Sequence, residues 1–212
     1  MLLVVPLVIL AACQAVEHTS TNTNQDQLTA TIAPTPSVWV TLAPYYVTST
    51  PISLPTLDVT GLQGKIVFQT DREGDFEIYF YDFQDASLTN LSRHDDVDVF
   101  PSWAPDGGKI VFVSDRDGNP EIYMMNSNGT DVQRLTDDPA DDVMPVFSPD
   151  GKSIAFVSNR DGDDEIYLMD VESRTIKQLT NNSFTDGFPA WSPDGEQIIY
   201  HTNRDVNYEL YI

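Results

Sequence analysis

Gly64-Lys65-Ile66-Val67-Phe68-Gln69-Thr70-Asp71-Arg72 returns as Gly108-Lys109-Ile110-Val111-Phe112-Val113-Ser114-Asp115-Arg116. A third copy runs Ser153-Ile154-Ala155-Phe156-Val157-Ser158-Asn159-Arg160, and a fourth Gln197-Ile198-Ile199-Tyr200-His201-Thr202-Asn203-Arg204. The step is 44 residues each time, and it relates Arg72, Arg116, Arg160 and Arg204 without an insertion. The same step relates Glu77, Glu121, Glu165 and Glu209, and also Tyr79, Tyr123, Tyr167 and Tyr211. An internal period of this size is the mark of a repeat architecture.

Within one period the residues spell four short strands. In the second copy Pro101-Ser102-Trp103 reads as a strand, and Pro105-Asp106-Gly107 as a tight turn. Proline presets φ there, Asp106 supplies a side-chain acceptor and glycine the permissive backbone; Asp150 and Asp194 repeat the device. Lys109 to Ser114 is a strand whose unbroken apolar run suits burial on both faces. Asp117-Gly118-Asn119 makes a hairpin, Glu121 to Met125 the third strand, and Asn128-Gly129 the next turn. Val132 to Thr136 reads as the outer strand. Nothing shows helical periodicity. The expected fold is all-β, a β-propeller of four-stranded antiparallel blades.

Trp/Phe-Ser/Ala-Pro-Asp-Gly, then Ile-x-Phe-x-Ser-Asp/Asn-Arg-Asp-Gly, then Glu-Ile-Tyr and Leu-Thr resembles the WD-repeat-like blade of TolB-like proteins. The resemblance covers residues 64–212. Propellers of prolyl-oligopeptidase-type enzymes carry similar blades. The resemblance implies a closed propeller that serves as an interaction platform in the cell envelope. Nothing matches the TolB N-terminal domain, so TolB's particular role does not carry over.

The blades come to just under four. Copy four ends at Glu209-Leu210-Tyr211-Ile212, and no Trp-Ser-Pro-Asp-Gly strand precedes copy one. A truncated reading frame, a self-closing four-blade ring and two chains completing one ring all fit; truncation is the first expectation. Bare strand edges leave self-association open.

Ahead of the repeats the character changes. Cys13 is the only cysteine, which excludes a disulfide framework and a cysteine metal site. It closes the apolar run Leu2 to Leu10, and Leu10-Ala11-Ala12-Cys13 looks like a bacterial lipobox. Residues 1–13 are thus expected to be a lipoprotein signal, with Cys13 the acylated residue and the membrane contacted through that lipid alone. The run is shorter than a spanning helix needs. It lacks the positive n-region of an export signal, which places the true start a few residues upstream. Residues 14–63 hold no Lys or Arg and are rich in Thr, Ser, Asn, Gln and Pro, the composition of a spacer. One patch, Val38-Trp39-Val40-Thr41-Leu42, alternates well enough to form a short strand on the propeller edge, but a linker with an apolar spot is the preferred reading.

Eleven basic against 33 acidic residues give a net charge of −22, which repels phosphate backbones and excludes nucleic-acid binding. Asp115 to Glu121 and Asn159 to Glu165 superficially echo a calcium loop, but lack its twelve-residue spacing and flanking helices. They are read as hairpin turns, with Arg116 set to pair with Glu121 across the ladder. No metal or cofactor is expected, and no catalytic residue. No Gly-x-Ser-x-Gly elbow occurs, and His18, His94 and His201 show no zinc spacing. The reading is a lipid-anchored extracytoplasmic scaffold for an unidentified protein partner. The alternative is the propeller of a prolyl-oligopeptidase-like envelope hydrolase without its catalytic domain, and calcium-dependent adhesion is a third.

Overall fold

The computed structural model describes residues 63–205 and 207–212, together with the backbone of Val40–Thr41. The signal segment, Cys13 and the rest of the spacer lie outside the described residues. Among the described residues every regular element is a strand: β1 Val40–Thr41, β2 Lys65–Thr70, β3 Glu77–Asp82, β4 Ser87–Asn90, β5 Asp98–Trp103, β6 Lys109–Ser114, β7 Glu121–Asn126 and β8 Gln133–Arg134. The chain continues with β9 Asp142–Phe147, β10 Ser153–Ser158, β11 Glu165–Asp170, β12 Ile176–Gln178, β13 Asp186–Trp191, β14 Ile198–Asp205 and β15 Asn207–Tyr211.

They form four sheets, ordered β1-β2-β3-β4, β5-β6-β7-β8, β9-β10-β11-β12 and β13-β14-β15. The second to fourth sheets are antiparallel meanders. In the first, β1 joins β2 in parallel, Val40 opposite Ile66 and Thr41 opposite Val67. Two residues of the alternating patch therefore occupy the edge that the inner strand holds in the other blades.

The inner strands begin earlier than the sequence predicts, at Asp98 rather than Pro101. The reason is a backbone tie between blades. Asp98, Asp142 and Asp186 donate their N–H to the carbonyls of Phe76, Pro120 and Asp164, at 2.7, 2.9 and 2.8 Å. Further along each inner strand the ladder is interrupted at Phe100, Met144 and Phe188, with φ of 53, 55 and 52°. Each stands just before a proline, Pro101, Pro145 or Pro189. Proline has no N–H for the ladder, so the strand bulges there and the preceding residue adopts a left-handed conformation. The outer strand β8 is shorter than the sequence predicts, because Leu135 and Thr136 both turn their N–H groups onto the carbonyl of Ile122.

The core lies between the blades. One cluster joins Val67, Ile78 and Leu91 of the first blade to Trp103, Ile110, Phe112 and Met125 of the second. The next joins Val111, Ile122 and Met124 to Phe147, Ile154, Phe156 and Met169 of the third. This is why β6 and β10 are apolar on both faces: one side meets the preceding blade and the other the following one. Phe112 and Phe156 are fully buried, each removal from water being worth about 1.5–3 kcal/mol.

Candidate functional site

The recurring polar residues meet where one blade joins the next. In the first three blades the Glu of the third strand closes the loop that leads onward to the next blade. Glu77 accepts the N–H of His94 at 3.1 Å, Glu121 that of Asp138 at 2.8 Å, and Glu165 that of Asn182. The Ser or Thr of the Leu-Ser/Thr motif accepts the next N–H of the same strand, Ser92 from Ile78, Thr136 from Ile122 and Thr180 from Ile166. A buried carboxylate thus satisfies a loop N–H that the ladder cannot reach.

Arg116 does not pair with Glu121, contrary to the expectation from sequence. Glu121 lies opposite Ser114 in the ladder, so Arg116 already stands in the hairpin beyond the last paired residues. Its side chain turns back across the sheet. Nη2 bonds both oxygens of Asp98, at 2.9 and 3.0 Å, and Nε bonds Ser114 at 2.7 Å. The guanidinium lies 5.0 Å from the ring centre of Tyr123. Arg160 repeats the arrangement on Asp142, Ser158 and Tyr167. Glu121 is paired instead with Arg134 at 2.7 Å. The inner-strand aspartates Asp98, Asp142 and Asp186, all fully buried, were missed in the sequence although they keep the 44-residue step.

The remaining predicted residues divide. Asp106, Asp150 and Asp194 accept the N–H two residues on, at 2.8, 3.0 and 3.0 Å, and so shape the turn. Hydrogen bonds, from the Ser148 and Ser192 hydroxyls foremost, hold Asp150 and Asp194 below the usual carboxylate range. Glu209 is exposed, and no loop lies over it among the described residues. Arg204 stacks at 4.1 Å on Tyr211 and donates to Tyr200 Oη at 3.0 Å, leaving Asp186 at 3.9 Å. Arg72 stacks on Tyr79 at 5.0 Å and meets no inner-strand aspartate among the described residues.

A cavity of 520 Å³ on the first blade is lined by Arg72, Arg93, Tyr79, Thr89 and Asn90 together with two carboxylates, Glu73 and Glu77. Arg72 and Arg93 are both exposed, and neither pairs with a carboxylate among the described residues. A smaller one of 280 Å³ lies between the second and third blades, against Asp106, Met124, Phe147 and Asp150.

The third junction differs electrostatically from the second. Burial first, then neighbouring Asp186, pushes the Glu165 carboxyl above its ordinary range. Burial likewise raises Asp142 and lowers His201. Burial and, after it, Asp161 push the Tyr167 phenol up to about 12. Asp161, Asp163 and Glu165 bring carboxylate oxygens within 4.8 Å of one another on the third blade's hairpin. No hydrogen bond joins a serine to a histidine among the described residues.

Comparison with known proteins follows this geometry. Residues 62–142 match the TolB beta propeller domain, and residues 126–211 the Tricorn protease N-terminal beta propeller domain. TolB from Acinetobacter baumannii is 27% identical with a TM-score of 0.59, over 69% of this chain and 37% of that one. A structure assigned to TolB of Agrobacterium tumefaciens is 25% identical with the same TM-score, over 64% and 49%. The chain therefore covers about half or less of the length of these two proteins. A structure assigned to dipeptidyl aminopeptidase IV of Bacteroides ovatus is 17% identical with a TM-score of 0.52, over 64% and 24%, a likeness of fold alone. No curated protein matches the chain. Repeat, sheet topology and the two family matches agree on the fold: residues 63–212 form β-propeller blades similar to those of TolB.

Proposed function

We propose that this protein is a non-catalytic binding scaffold, held on the extracytoplasmic side of a bacterial envelope by lipid on Cys13. Its protein partner docks on the loops of the first blade. The observation that carries the docking site is the pair of exposed guanidinium groups, Arg72 and Arg93, around the 520 Å³ cavity. On a chain of net charge −22, two arginines that pair with no carboxylate among the described residues offer a seat for an acidic segment of another protein, although Glu73 and Glu77 share the cavity. The likeness to TolB supports a binding role and an envelope location.

A photo-crosslinking residue placed at Thr89 in the anchored protein tests the docking site. The scaffold reading expects a discrete adduct that disappears in the Arg72→Glu/Arg93→Glu double variant, while a probe at Asp150 gives none. An adduct indifferent to the double variant sinks it. For the anchor, fatty-acid labelling should mark the native protein and not Cys13→Ala; equal labelling of both would end that part of the reading.

A further inference from the structure

The second and third blades solve the same loop problem with different residues. In the second, Asn119 Nδ2 donates to the carbonyls of Asp138 and Ala140, at 3.0 and 2.7 Å, and reaches Glu121 Oε1 at 3.5 Å. One amide NH2 thus serves three oxygens. The third blade keeps the surrounding loop. Asn182 donates to Glu165 as Asp138 does to Glu121, and Phe184 donates to Asn182 Oδ1 at 2.9 Å as Ala140 does to Asp138 at 3.0 Å. At the position of Asn119, however, stands Asp163, which has no proton to give when ionised.

The consequence is an excess of acceptors. Asp163 Oδ2 is shut off from solvent and meets no hydrogen-bond partner. The carbonyls of Asn182 and Phe184 correspond, one 44-residue step on, to those of Asp138 and Ala140 that Asn119 serves in the second blade. Asp186, fully buried beside Glu165, spends Oδ2 on Asn182 Nδ2 at 2.8 Å and leaves Oδ1 unpartnered. Arg204, which would neutralise it by analogy with Arg116 and Arg160, stands off at 3.9 Å. Asp161, held by Gln178, completes a set of three carboxylates within 4.8 Å of one another. Buried acceptors without donors are costly, and a cation relieves several of them at once.

We infer that the third blade carries a calcium site built from Asp161, Asp163 and Glu165 with the carbonyls of the 182–184 loop, in the station that the Asn119 amide fills in the second blade. The donors are all hard oxygens, mixing carboxylate and carbonyl, with no histidine or cysteine, which excludes a zinc-type preference. An irregular array of this kind suits Ca²⁺, which accepts 6–8 oxygens in flexible geometry, better than Mg²⁺, which demands a regular octahedron and keeps its waters. The ion locks the third-to-fourth blade junction by neutralising the carboxylates that meet there.

Thermal melting of the full chain after chelator treatment, with Ca²⁺ alone added back, tests the site. The native protein should gain about 3–6 °C at saturating Ca²⁺ and much less at equal Mg²⁺. Asp163→Asn, which reproduces the second blade's solution, should lose that response while melting no lower than the native protein in chelator. Asp150→Asn, in a distant turn, should keep it. No calcium shift in the native protein, a full shift retained by Asp163→Asn, or equal loss in Asp150→Asn would each overturn the inference.

Discussion

A single guanidinium nitrogen of Arg116 straddles both carboxylate oxygens of Asp98, at 2.9 and 3.0 Å, and Asp98 is wholly buried. Asp98 opens β5 and Arg116 stands in the hairpin just beyond β6 of the same blade, stacked also on Tyr123. Removing the arginine would leave an uncompensated buried charge. Arg116→Ala should therefore cost about 3–5 kcal/mol by urea denaturation. Arg204→Ala should cost far less, about 1 kcal/mol, because Arg204 is already 3.9 Å from Asp186. Equal losses would show that the stacking, and not the ion pair, carries the stabilisation.

Glu165 titrates in the opposite sense from a paired surface acid. Burial and Asp186 raise its pKa in the folded protein. Its contribution to stability is therefore complete below the unfolded value, about 4.3, and is lost as pH rises through the raised folded value. At pH 7 in chelator, Glu165→Gln should stabilise by on the order of 1 kcal/mol, since an amide can accept from Asn182 and donate toward Asp186. The gain should shrink to nothing near pH 3.5. Denaturant midpoints across that range check both ends, and a gain that grows on acidification would contradict the sign.

Two glycines separate backbone conformation from contact. Gly118 has φ of 115° with open space around an added Cβ, whereas at Gly129, φ 84°, a Cβ would sit 2.6 Å from the carbonyl oxygen of Leu91. Gly118→Ala should cost about 1–3 kcal/mol from conformation alone. Gly129→Ala should exceed it by 1 kcal/mol or more, because the backbone of the first blade has to move. Chemical denaturation of the two variants gives the comparison directly.

The same repeat position carries opposite weights in different blades. Ile122 is fully buried, whereas its counterpart Leu210 is 72% exposed. Ile122→Ala should cost about 2–5 kcal/mol, and Leu210→Ala no more than about 0.5 kcal/mol. A large loss at Leu210, read by the same denaturation assay, would mean that its face is covered in solution.

Much of the fold was legible because a blade is local. Lys109–Ser114 was predicted residue for residue, since the Pro-Asp-Gly turn before it and the Asp-Gly hairpin after it bound an apolar run. The inner strand was misjudged at its start, because the tie between Asp98 and Phe76 joins two different blades and leaves no local mark. The candidate site was less legible. Arg116 and Glu121 were recognised as recurrent, but their partners were not, since Asp98 lies 18 residues before the arginine and Asp138 lies 17 beyond the glutamate. The aspartates were visible only as a further 44-residue series.

Periodicity and turn chemistry by themselves determined that this chain makes β-propeller blades, where their strands run and which residues recur in them. Pairing was decided by tertiary structure, because the buried carboxylates find partners far along the chain, Asp98 the Arg116 side chain of its own blade and Glu121 the Asp138 N–H of the loop to the next. The third blade shows why. Asp163 differs from Asn119 by one atom type, and only the packed carbonyls and carboxylates around it turn that change from a tolerated turn residue into a demand for positive charge.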